Sequence, residues 1–349
     1  MSRPTTKDLA KVAGVSLATV DRVLNARPGV RQATVERVNK AIEEINYVRD
    51  FSAANLARSK EYEMVFLLPD HDDEFIGLIR QAITEVNQSL AHERINVTVV
   101  RAPANDPHRI AEEIDNLSAL GVDGVAIMAP ETPQVRDAIS RLNARGIAVV
   151  AFVSNQPNAE STSFVGINNE AAGRTVGQLM ARFTAEERGM VLVLTETIQS
   201  RDSQERRLGF DTIMAKYASR LKICPSLEDY GDPIRTTQIF KTALQSDPPV
   251  VGIYLMNHDI HEAMQAIETF GSPQNVVVIA HELTPQTRAR LVDGSLDAVI
   301  TQDVGHLVHS SIRILKAKIT KISTVASQER VRIEITLREN MPEEKDAAA

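Results

Sequence analysis

Cysteine and tryptophan are almost missing from this chain of 349 residues, which has one cysteine, Cys224, and no tryptophan. A single cysteine excludes disulfide bonds within the chain and is typical of a reducing compartment. Cys224 is interpreted most simply as a buried packing residue, since nothing around it supports redox sensing. The chain also lacks an apolar run of membrane-spanning length and an apolar N-terminal segment of the signal-peptide type. We therefore expect a cytoplasmic protein with no membrane partner.

Positive charge is scarce over most of the chain and concentrated at its start. Residues 1–60 contain 11 Lys and Arg against 6 Asp and Glu, a net charge of +5, whereas the whole chain carries −7. A basic segment attached to an acidic body is expected when one module meets the phosphates of a nucleic acid. The first 60 residues are therefore the candidate nucleic-acid-binding segment.

Three short helices are predicted in this basic segment. Their inward faces are apolar residues at helical spacing: Leu9, Val12 and Ala13; then Val20, Val23 and Leu24; then Val35, Val38, Ala41, Ile42 and Ile45 in a helix from about Gln32 to Glu44. Thr5 or Thr6 can cap the first helix, Gly14 can end it, and Ser16 can cap the second. This arrangement is typical of a helix-turn-helix unit, although the helices alone also fit an ordinary helical hairpin.

The sequence of this segment closely resembles a known DNA-binding module. The run AKVAGVSLATVDRVLN, followed by GVRQATVERVNKAIEEINY and SAANLA, is similar to the head and hinge of the lactose-repressor/galactose-repressor family of bacterial transcription regulators. The resemblance implies four parts: a helix-turn-helix DNA-binding domain over 1–48, a hinge helix and linker over 49–61, a ligand-binding and dimerisation domain over 62–340, and a mobile tail over 341–349.

The resemblance also implies which residues contact DNA. Leu17, Ala18 and Arg22 match positions that face base edges in the major groove, where an arginine can make two hydrogen bonds to guanine. Four residues match positions that contact phosphate, namely Ser16, Thr19, Asn25 and Thr34. Leu56 matches the hinge leucine that enters the minor groove and kinks the duplex. The alternative for Leu56 is a linker leucine that packs on its own domain.

Asp21 departs from the family, which usually has a small hydroxyl residue at this position. Because phosphate repels a carboxylate, Asp21 either pairs with a neighbouring basic residue or accepts a hydrogen bond from a cytosine amino group. The operator sequence of a characterised relative therefore does not transfer to this chain.

The remaining chain alternates short apolar runs with amphipathic stretches, as in strands joined by crossover helices. Nine strands are predicted to begin at Met64, Ile95, Gly124, Ala148, Ser163, Met190, Val250, Val276 and Asp297, and a final strand is predicted over 330–337. The runs are nearly continuous, so both faces of the sheets should be covered. The predicted fold is an all-α helix-turn-helix head with an α/β body of two doubly wound parallel-sheet lobes.

This body resembles the type I periplasmic sugar-binding protein fold that the family uses as its sensor domain. The likeness covers most of residues 62–340 and is weaker per residue than in the head. In that fold the chain crosses between the lobes three times, and we expect these crossings near Ser161, Leu291 and Thr320. A ligand would bind between the lobes, at the carboxyl ends of the strands.

Candidate ligand-binding residues in the first lobe follow two predicted strands. Asp70, Asp73 and Phe75 match a loop that supplies polar and aromatic ligand contacts in relatives, although a solvated acidic loop explains any one of them equally well. Val153 and Ser154 stand where sugar-binding relatives often have an Asp-Arg pair. This departure argues against a simple pentose or hexose as the ligand.

Candidate residues in the second lobe also lie at strand ends. Glu282 matches an acidic position that accepts hydrogen bonds from vicinal hydroxyls in the family, and Gln302 matches another ligand position. Asn257, with its neighbours His258 and Asp259, ends a predicted strand at the same rim.

The run SRDSQERRLGF leaves the charge of the ligand open. Its Gly209 and Phe210 align Gln204 with a position where relatives commonly have a ligand-binding arginine, and Arg206 with a more structural one. After a shift of one helical turn, Arg201 would reach the cleft instead.

Enzymatic activity is not expected, because the HEL sequence at His281 lacks the second histidine of the zinc-protease motif. No nucleophile elbow or phosphate-binding glycine loop is present, and we expect no metal and no cofactor. An architectural DNA binder without an effector would not need the acidic body. The tail has no leucine heptads, so a homodimer is expected rather than a tetramer.

The predicted function is that of a dimeric repressor that binds a palindromic DNA operator and is released by a small-molecule effector, a sugar or sugar derivative. The alternative is a corepressor-type regulator that binds DNA better with a purine-like ligand. An effector-independent DNA binder and an enzyme are the more distant alternatives.

Overall fold

The computed structural model describes residues 4–24, 28–45, 47, 61–71, 73–104, 106–160, 162–184, 188–218, 220–257, 259–271 and 276–343. The chain forms two compact units, Met1–Lys60 and Glu61–Ala349. Asn25 and Leu56, two predicted DNA contacts, lie outside the described residues, as do His258 and residues 49–60 of the predicted hinge. Within the described residues no helix is both long and apolar enough to cross a membrane.

The first unit contains three helices: α1 (Thr6–Ala13), α2 (Leu17–Leu24) and α3 (Gln32–Glu44). Thr5 caps α1, because its Oγ1 accepts from the Asp8 amide while the Asp8 carboxylate accepts from the Thr5 amide. Gly14 ends α1 in the left-handed conformation with φ of 61°, which glycine adopts without steric cost. The amide of Thr19 donates to Ser16 Oγ at 3.1 Å, so Ser16 caps α2 as predicted.

Most of the predicted apolar positions build the core of the head, and Val12 and Val35 are the exceptions. Leu9, Val20 and Val38 are fully buried, one from each helix. Val12, which the helical spacing placed inside, is 43% exposed, and Ala10 is buried instead. The buried face of α1 therefore includes Ala10 rather than Val12. Alanine is the smaller of the two side chains and needs less room in a small three-helix core.

The first lobe of the body contains a sheet of five parallel strands in the order β2-β1-β3-β4-β5. The strands are β1 (Tyr62–Pro69), β2 (Ile95–Ala102), β3 (Gly124–Ile127), β4 (Ala148–Phe152) and β5 (Ser163–Val165). The helices of this lobe are α4 (Glu74–Leu90), α5 (Pro107–Leu117), α6 (Pro133–Ala144) and, much later in the chain, α12 (Val304–Thr320).

The second lobe contains a sheet of six strands in the order β11-β10-β9-β8-β6-β7. The strands are β6 (Met190–Thr195), β7 (Lys222–Glu228), β8 (Val250–Leu255), β9 (Val277–His281), β10 (Ala298–Thr301) and β11 (Glu334–Thr336). The strands are parallel except for β11, which pairs antiparallel with β10. The helices are α7 (Asn169–Phe183), α8 (Arg201–Tyr217), α9 (Pro233–Leu244), α10 (His261–Phe270) and α11 (Pro285–Asp293).

Both sheets are covered on both faces, which confirms the doubly wound prediction. In β1, Phe66 belongs to the apolar cluster on one face of the first sheet and Leu67 to the cluster on the other. In β6, Leu192 and Val193 divide in the same way between two clusters. Successive side chains of a strand point to opposite faces, so a strand buried on both sides must be apolar throughout.

The nine predicted strands of the body are confirmed, but β7 was missed. Its sequence KICPSLE contains Pro225 and several polar residues, and the strand lies at the sheet edge, where a proline is tolerated because one side of the strand is unpaired. The final strand is shorter than predicted, since only Glu334–Thr336 pair with β10.

Two of the three predicted crossings between the lobes agree with the structure and one does not. The chain leaves the first lobe after β5, close to Ser161, and leaves it again after α12, which ends at Thr320. The crossing predicted near Leu291 is wrong, because Leu291 is buried in the core of the second lobe. β10 pairs with β9 in the second lobe, and α12 packs in the first lobe. The chain therefore crosses between Thr301 and Val304.

Candidate DNA-binding surface and effector cleft

Helix α2 presents a continuous exposed face. Leu17 is 47% exposed, and Ala18, Asp21 and Arg22 are also exposed, while Val20 on the opposite side is fully buried. These four exposed residues follow the helical spacing predicted for a surface that faces a groove of DNA.

The predicted phosphate contacts that the structure describes lie at helix starts. Ser16 Oγ and Thr19 Oγ1 are 2.9 Å apart at the beginning of α2. Thr34 is half-buried in the first turn of α3. Helix starts present backbone N–H groups and a favourable dipole to phosphate, so these positions suit the predicted contacts.

A cleft of about 920 Å³ lies in the body, at the carboxyl ends of the strands. The first lobe lines it with residues that follow β1 and β2, and the second lobe lines it with residues that follow β6, β7 and β8. The lining residues are Asp70, His71, Asp73, Pro103, Ala104, Asp106, Arg109, Glu196, Asp229, Tyr230, Gly231, Pro233, Thr236, Asn257, Asp259, Glu262 and Ala263. Its volume lies in the range that binds small organic ligands.

The acidic character of the cleft shifts two pKa values. His71 Nδ1 lies 2.9 Å from Asp73 Oδ2, and this hydrogen bond raises the pKa of His71. Burial raises the pKa of Glu196, and the nearby carboxylates of Asp229 and Asp73 act in the same direction. The cleft therefore favours positive charge and disfavours additional negative charge.

Asp229 forms the floor of the second-lobe side. It is 3% exposed and accepts hydrogen bonds from Asn257 Nδ2 at 2.8 Å, from Thr236 Oγ1 at 3.1 Å and from the Gly231 amide at 3.1 Å. These bonds orient Asn257 at the end of β8. The side-chain oxygen of Asn257 is buried and has no hydrogen-bond donor among the described residues.

A buried polar network adjoins the cleft at the end of β9. Glu282 is 1% exposed, and its Oε1 accepts from Gln302 Nε2 at 2.9 Å and lies 3.9 Å from Arg206 Nη2. Burial raises the pKa of Glu282 to about 7, although Arg206 and Gln302 oppose the shift. Glu282 Oε2 and Gln302 Oε1 have no donor within the described parts of the chain.

The same network reaches the first lobe through Asp202. Asn169 joins the two ends, because its Oδ1 accepts from Arg206 Nε at 2.8 Å and its Nδ2 donates to Asp202 Oδ1 at 3.2 Å. Ser154 Oγ, from the first lobe, donates to Asp202 Oδ2 at 2.9 Å. Burial raises the pKa of Asp202, while Arg206 and Ser154 oppose the shift. The network therefore connects the lobes through the hydrogen bond between Ser154 and Asp202.

Two further contacts join the lobes at the sides of the cleft. Arg201 Nη1 lies 2.8 Å from Glu131 Oε2, and the Gln286 amide donates to Glu74 Oε2 at 2.9 Å. Arg201, which the sequence offered as an alternative ligand contact, thus bridges the lobes through an ion pair.

Close helix packing places Arg206 and Asp202 in this network. A side chain at Gly173 of α7 would lie 1.9 Å from the Arg206 carbonyl oxygen, and one at Gly209 of α8 would lie 2.0 Å from the Glu170 carbonyl oxygen. Only glycine permits this approach of the two backbones. Asp202 and Arg206 are four residues apart and share the face of α8 that points toward α7.

The structure divides the eight predicted ligand residues into three groups. Asp70, Asp73 and Asn257 line the cleft. Ser154, Glu282 and Gln302 belong to the buried network. Phe75 and Gln204 lie in neither place, since Phe75 is buried in the core of the first lobe and Gln204 is exposed on α8.

The prediction that Gln204 lines the cleft therefore needs correction, whereas Arg206, aligned with a structural arginine, does face inward. Residues two positions apart on a helix point roughly 200° apart, so Gln204 faces away when Arg206 faces inward. Arg206 is 3% exposed and is the arginine that reaches Glu282.

Sequence reasoning also missed Glu196, Asp202, Asp229 and Asn169. Glu196 directly follows the predicted strand MVLVLT, and Asp202 stands four residues before Arg206, so both signals were present. Asp229 follows β7 and could not be placed while that strand was unrecognised. Among the described residues, no group of three His, Cys, Asp or Glu side chains could hold a metal ion.

Comparison with known proteins agrees with both units. The family described as bacterial regulatory proteins, lacI family, matches residues 5–50, and the periplasmic binding protein domain matches residues 64–322. Catabolite control protein A of Staphylococcus aureus is 25% identical over 270 residues, which cover 74% of this chain and 77% of the relative. The HTH-type transcriptional regulator IdnR of Escherichia coli is 25% identical over 254 residues, 73% of each chain.

A solved structure shows the same fold in the body. The glucose-galactose binding protein GanP from Geobacillus stearothermophilus superposes with a TM-score of 0.71 at 16% identity, covering 81% of this chain and 99% of that one. Since the head and the body match these two families in adjacent parts of one chain, the protein belongs to the lacI family of bacterial regulatory proteins and is a ligand-responsive DNA-binding transcriptional regulator.

Proposed function

We propose that this regulator is a repressor that binds a palindromic operator as a homodimer and is released when a small hydroxylated effector enters the cleft. The observation that carries the proposal is a set of buried acceptor oxygens without donors, Asn257 Oδ1, Glu282 Oε2 and Gln302 Oε1, at or beside the cleft. A buried acceptor without a donor costs about 1–3 kcal/mol. Effector hydroxyls would supply the missing donors.

The effector class is supported by the fold as well as by these acceptors. The structurally similar GanP is a glucose-galactose binding protein. A sugar-like molecule carries several hydroxyl donors on one rigid ring, so it can satisfy acceptors on both lobes at once. Sugars and sugar derivatives are therefore the first effectors to test.

The coupling to DNA would act through the arrangement of the lobes. Ser154 and Asp202 hold the lobes together through one hydrogen bond, and Arg201 and Glu131 through one ion pair. An effector that competes with these contacts or adds to them changes the relative stability of two lobe arrangements. A coupling free energy of about 1–3 kcal/mol would change operator affinity by roughly 5-fold to 150-fold.

The DNA-reading role would fall to the exposed face of α2. Arg22 would contact a guanine, Leu17 and Ala18 would face neighbouring bases, and Ser16, Thr19, Asn25 and Thr34 would bind phosphates. Leu56 from each subunit of the dimer would enter the minor groove. Two heads on one palindrome require a symmetric dimer.

The proposal is tested by selecting an operator from random DNA with the purified protein and measuring its affinity by fluorescence anisotropy. A panel of hexoses, pentoses and their derivatives is then added. Release of the operator is expected with at least one compound. Tighter operator binding would instead show that the compound acts as a corepressor. An operator affinity that no compound changes would overturn the proposal.

Substitution of Arg22 tests the role of the head separately. Arg22→Ala should weaken operator binding by about 1–3 kcal/mol and relax sequence discrimination, because a two-hydrogen-bond contact to guanine is lost. Arg182→Ala removes an exposed arginine from α7 of the body and serves as the matched control. Equal discrimination by wild type and Arg22→Ala would remove Arg22 from the base-reading face.

A further inference from the structure

The charge of the cleft lining points to a narrower effector class than hydroxylated molecules in general. Carboxylates dominate both walls, whereas the basic groups among the lining residues are Arg109 and His71. The acidic lining residues are Asp70, Asp73 and Asp106 from the first lobe and Glu196, Asp229, Asp259 and Glu262 from the second.

Anionic ligands find little to bind in this lining. Helix N-termini are the usual sites for phosphate, but Asp106 already accepts from the amides of His108 and Arg109 at the start of α5, at 3.0 and 3.1 Å. Asp259 likewise accepts from the His261 amide at 2.8 Å at the start of α10. These two helix starts are thus occupied by carboxylates of the chain itself, as are the starts of α4 and α9, which Asp73 and Asp232 cap.

Three lining side chains still offer acceptor atoms to a ligand. The carboxylates of Glu196 and Glu262 accept no hydrogen bond in the part of the chain that the structure describes. Asn257 is 9% exposed, lines the cleft, and has a buried Oδ1 without a donor. A ligand that fits must therefore donate hydrogen bonds, and a positively charged donor fits best next to ionised carboxylates.

The carboxylates of the two walls also repel each other, although His71 of the first lobe attracts Glu196. Glu196 of the second lobe is within electrostatic range of Asp73 of the first lobe, as well as of Asp229 on its own side. Bringing these carboxylates closer costs free energy, whereas a positive charge placed between them turns repulsion into attraction. A cationic effector would therefore change the arrangement of the lobes more than a neutral one of equal size.

We propose that the effector is a protonated amino sugar, whose ammonium group is held by the cleft carboxylates, Glu196 among them, and whose hydroxyls donate to Asn257. This inference rests on the proposed function. A metal ion is a poorer candidate for the positive charge, because no three metal-ligating side chains converge among the described residues. The cleft of about 920 Å³ also has room for a sugar ring.

The test compares matched compounds by thermal shift and by isothermal titration calorimetry. D-glucosamine, D-galactosamine and D-mannosamine are each measured beside the parent hexose and its 6-phosphate at pH 7. We expect at least one amino sugar to raise Tm by several degrees and to bind at least about tenfold more tightly than its parent. Equal or tighter binding of the parent hexose or the phosphate, or no binding of any amino sugar at 20 mM, would overturn the inference.

Two variants locate the charge recognition. Glu196→Gln should reduce the affinity for the amino sugar by about tenfold or more while the affinity for the neutral parent stays within about twofold. Glu112→Gln, an exposed carboxylate on α5 that is not part of the cleft lining, should bind both compounds as the wild type does. Unchanged amino-sugar affinity in Glu196→Gln would remove Glu196 from the ammonium site.

The same measurements separate this inference from the proposed function. If a neutral sugar releases the operator and binds at least as tightly as its amino analogue, the proposed function stands and the amino-sugar inference fails. If no compound of the wider panel changes operator affinity, the proposed function itself fails.

Discussion

The two lobes of the body share one strand order and differ in what they place at the strand ends. The order β2-β1-β3-β4-β5 in the first lobe corresponds to β7-β6-β8-β9-β10 in the second. The residue after β4 is Val153 and the residue after β9 is Glu282, and both have a left-handed backbone, with φ of 60° and 62°. Such a conformation costs about 1–3 kcal/mol in a side-chain-bearing residue and is characteristic of functional sites.

The two lobes differ more in their buried charged residues than in their fold. Within the described residues, the buried charged side chains Arg206, Asp229 and Glu282 all belong to the second lobe. The buried polar residues of the first lobe are neutral: Gln156, Ser310 and Ser311. The second lobe therefore supplies the preorganised polar groups, while the first lobe supplies Ser154 and an acidic rim that meet them across the cleft.

The largest expected effect comes from the helix packing on which the second-lobe network depends. Gly173→Ala would place a methyl group 1.9 Å from the Arg206 carbonyl oxygen, so α7 and α8 must separate. We expect a loss of more than about 3 kcal/mol in the free energy of unfolding, measured by urea denaturation, or failure to fold.

Gly77→Ala in α4 of the first lobe is the matched control. An added methyl group there has no atom within 4 Å, so the variant should be about 0.5–1 kcal/mol more stable than wild type. Equal stabilities of the two variants would show that the helix pair of the second lobe is not tightly constrained.

The second-largest expected effect is a pH dependence of stability caused by the buried carboxyl group of Glu282. Its pKa of about 7 in the folded protein lies above the ordinary value of 4.5, so the folded state binds the proton more tightly than the unfolded state. Stability contributed by the protonated form is present at low pH and is lost as pH rises from about 4.5 through 7. The loss from this group is about 3 kcal/mol when complete.

Glu282→Gln should remove this part of the pH dependence. Its free energy of unfolding should fall less than that of the wild type between pH 5 and pH 8 in urea denaturation. Glu112→Gln, which changes an exposed carboxylate, should keep the wild-type slope. Identical slopes for all three proteins would contradict the assignment of the raised pKa to Glu282.

The smallest expected effects distinguish two of the contacts between the lobes, the Ser154–Asp202 hydrogen bond and the Arg201–Glu131 ion pair. Ser154→Ala should lower stability by about 1 kcal/mol, because Asp202 loses a donor in a part-buried setting. Arg201→Ala should change it by less than about 1 kcal/mol, because the arginine side chain is 37% exposed and water screens its ion pairs. Chemical denaturation of both variants measures the two losses of stability. A larger loss in Arg201→Ala than in Ser154→Ala would show that the ion pair, not the hydrogen bond, contributes more to holding the lobes together.

Much of the fold was predictable because its signals are local. The caps at Thr5 and Ser16, the turn at Gly14 and the apolar strands are each encoded by a few neighbouring residues. Long-range pairing was harder to predict. The edge strand β7 carries Pro225 and has no apolar run, and the crossing after Thr301 depends on β10 pairing with β9.

The sequence predicted which residues follow the strands at the cleft, but it did not predict the hydrogen-bond network among them. Asp70, Asp73 and Asn257 were placed at the cleft because parallel strands end on the same edge. Glu282 and Arg206 were both identified, but their pairing was not, because it depends on which face of α8 points inward. Asp229, one of the acidic residues that line the cleft, could not be placed before β7 was recognised.

The central claim is that a small molecule bound in the cleft, beside the second-lobe network, controls operator binding. The most direct test is operator affinity, measured by fluorescence anisotropy with the sugar and amino-sugar panel, for the wild type and Glu282→Ala. We predict that at least one compound weakens operator binding by about tenfold in the wild type, while Glu282→Ala binds the operator normally and no longer responds. An equal response of both proteins, or no response of the wild type to any compound, would contradict the claim.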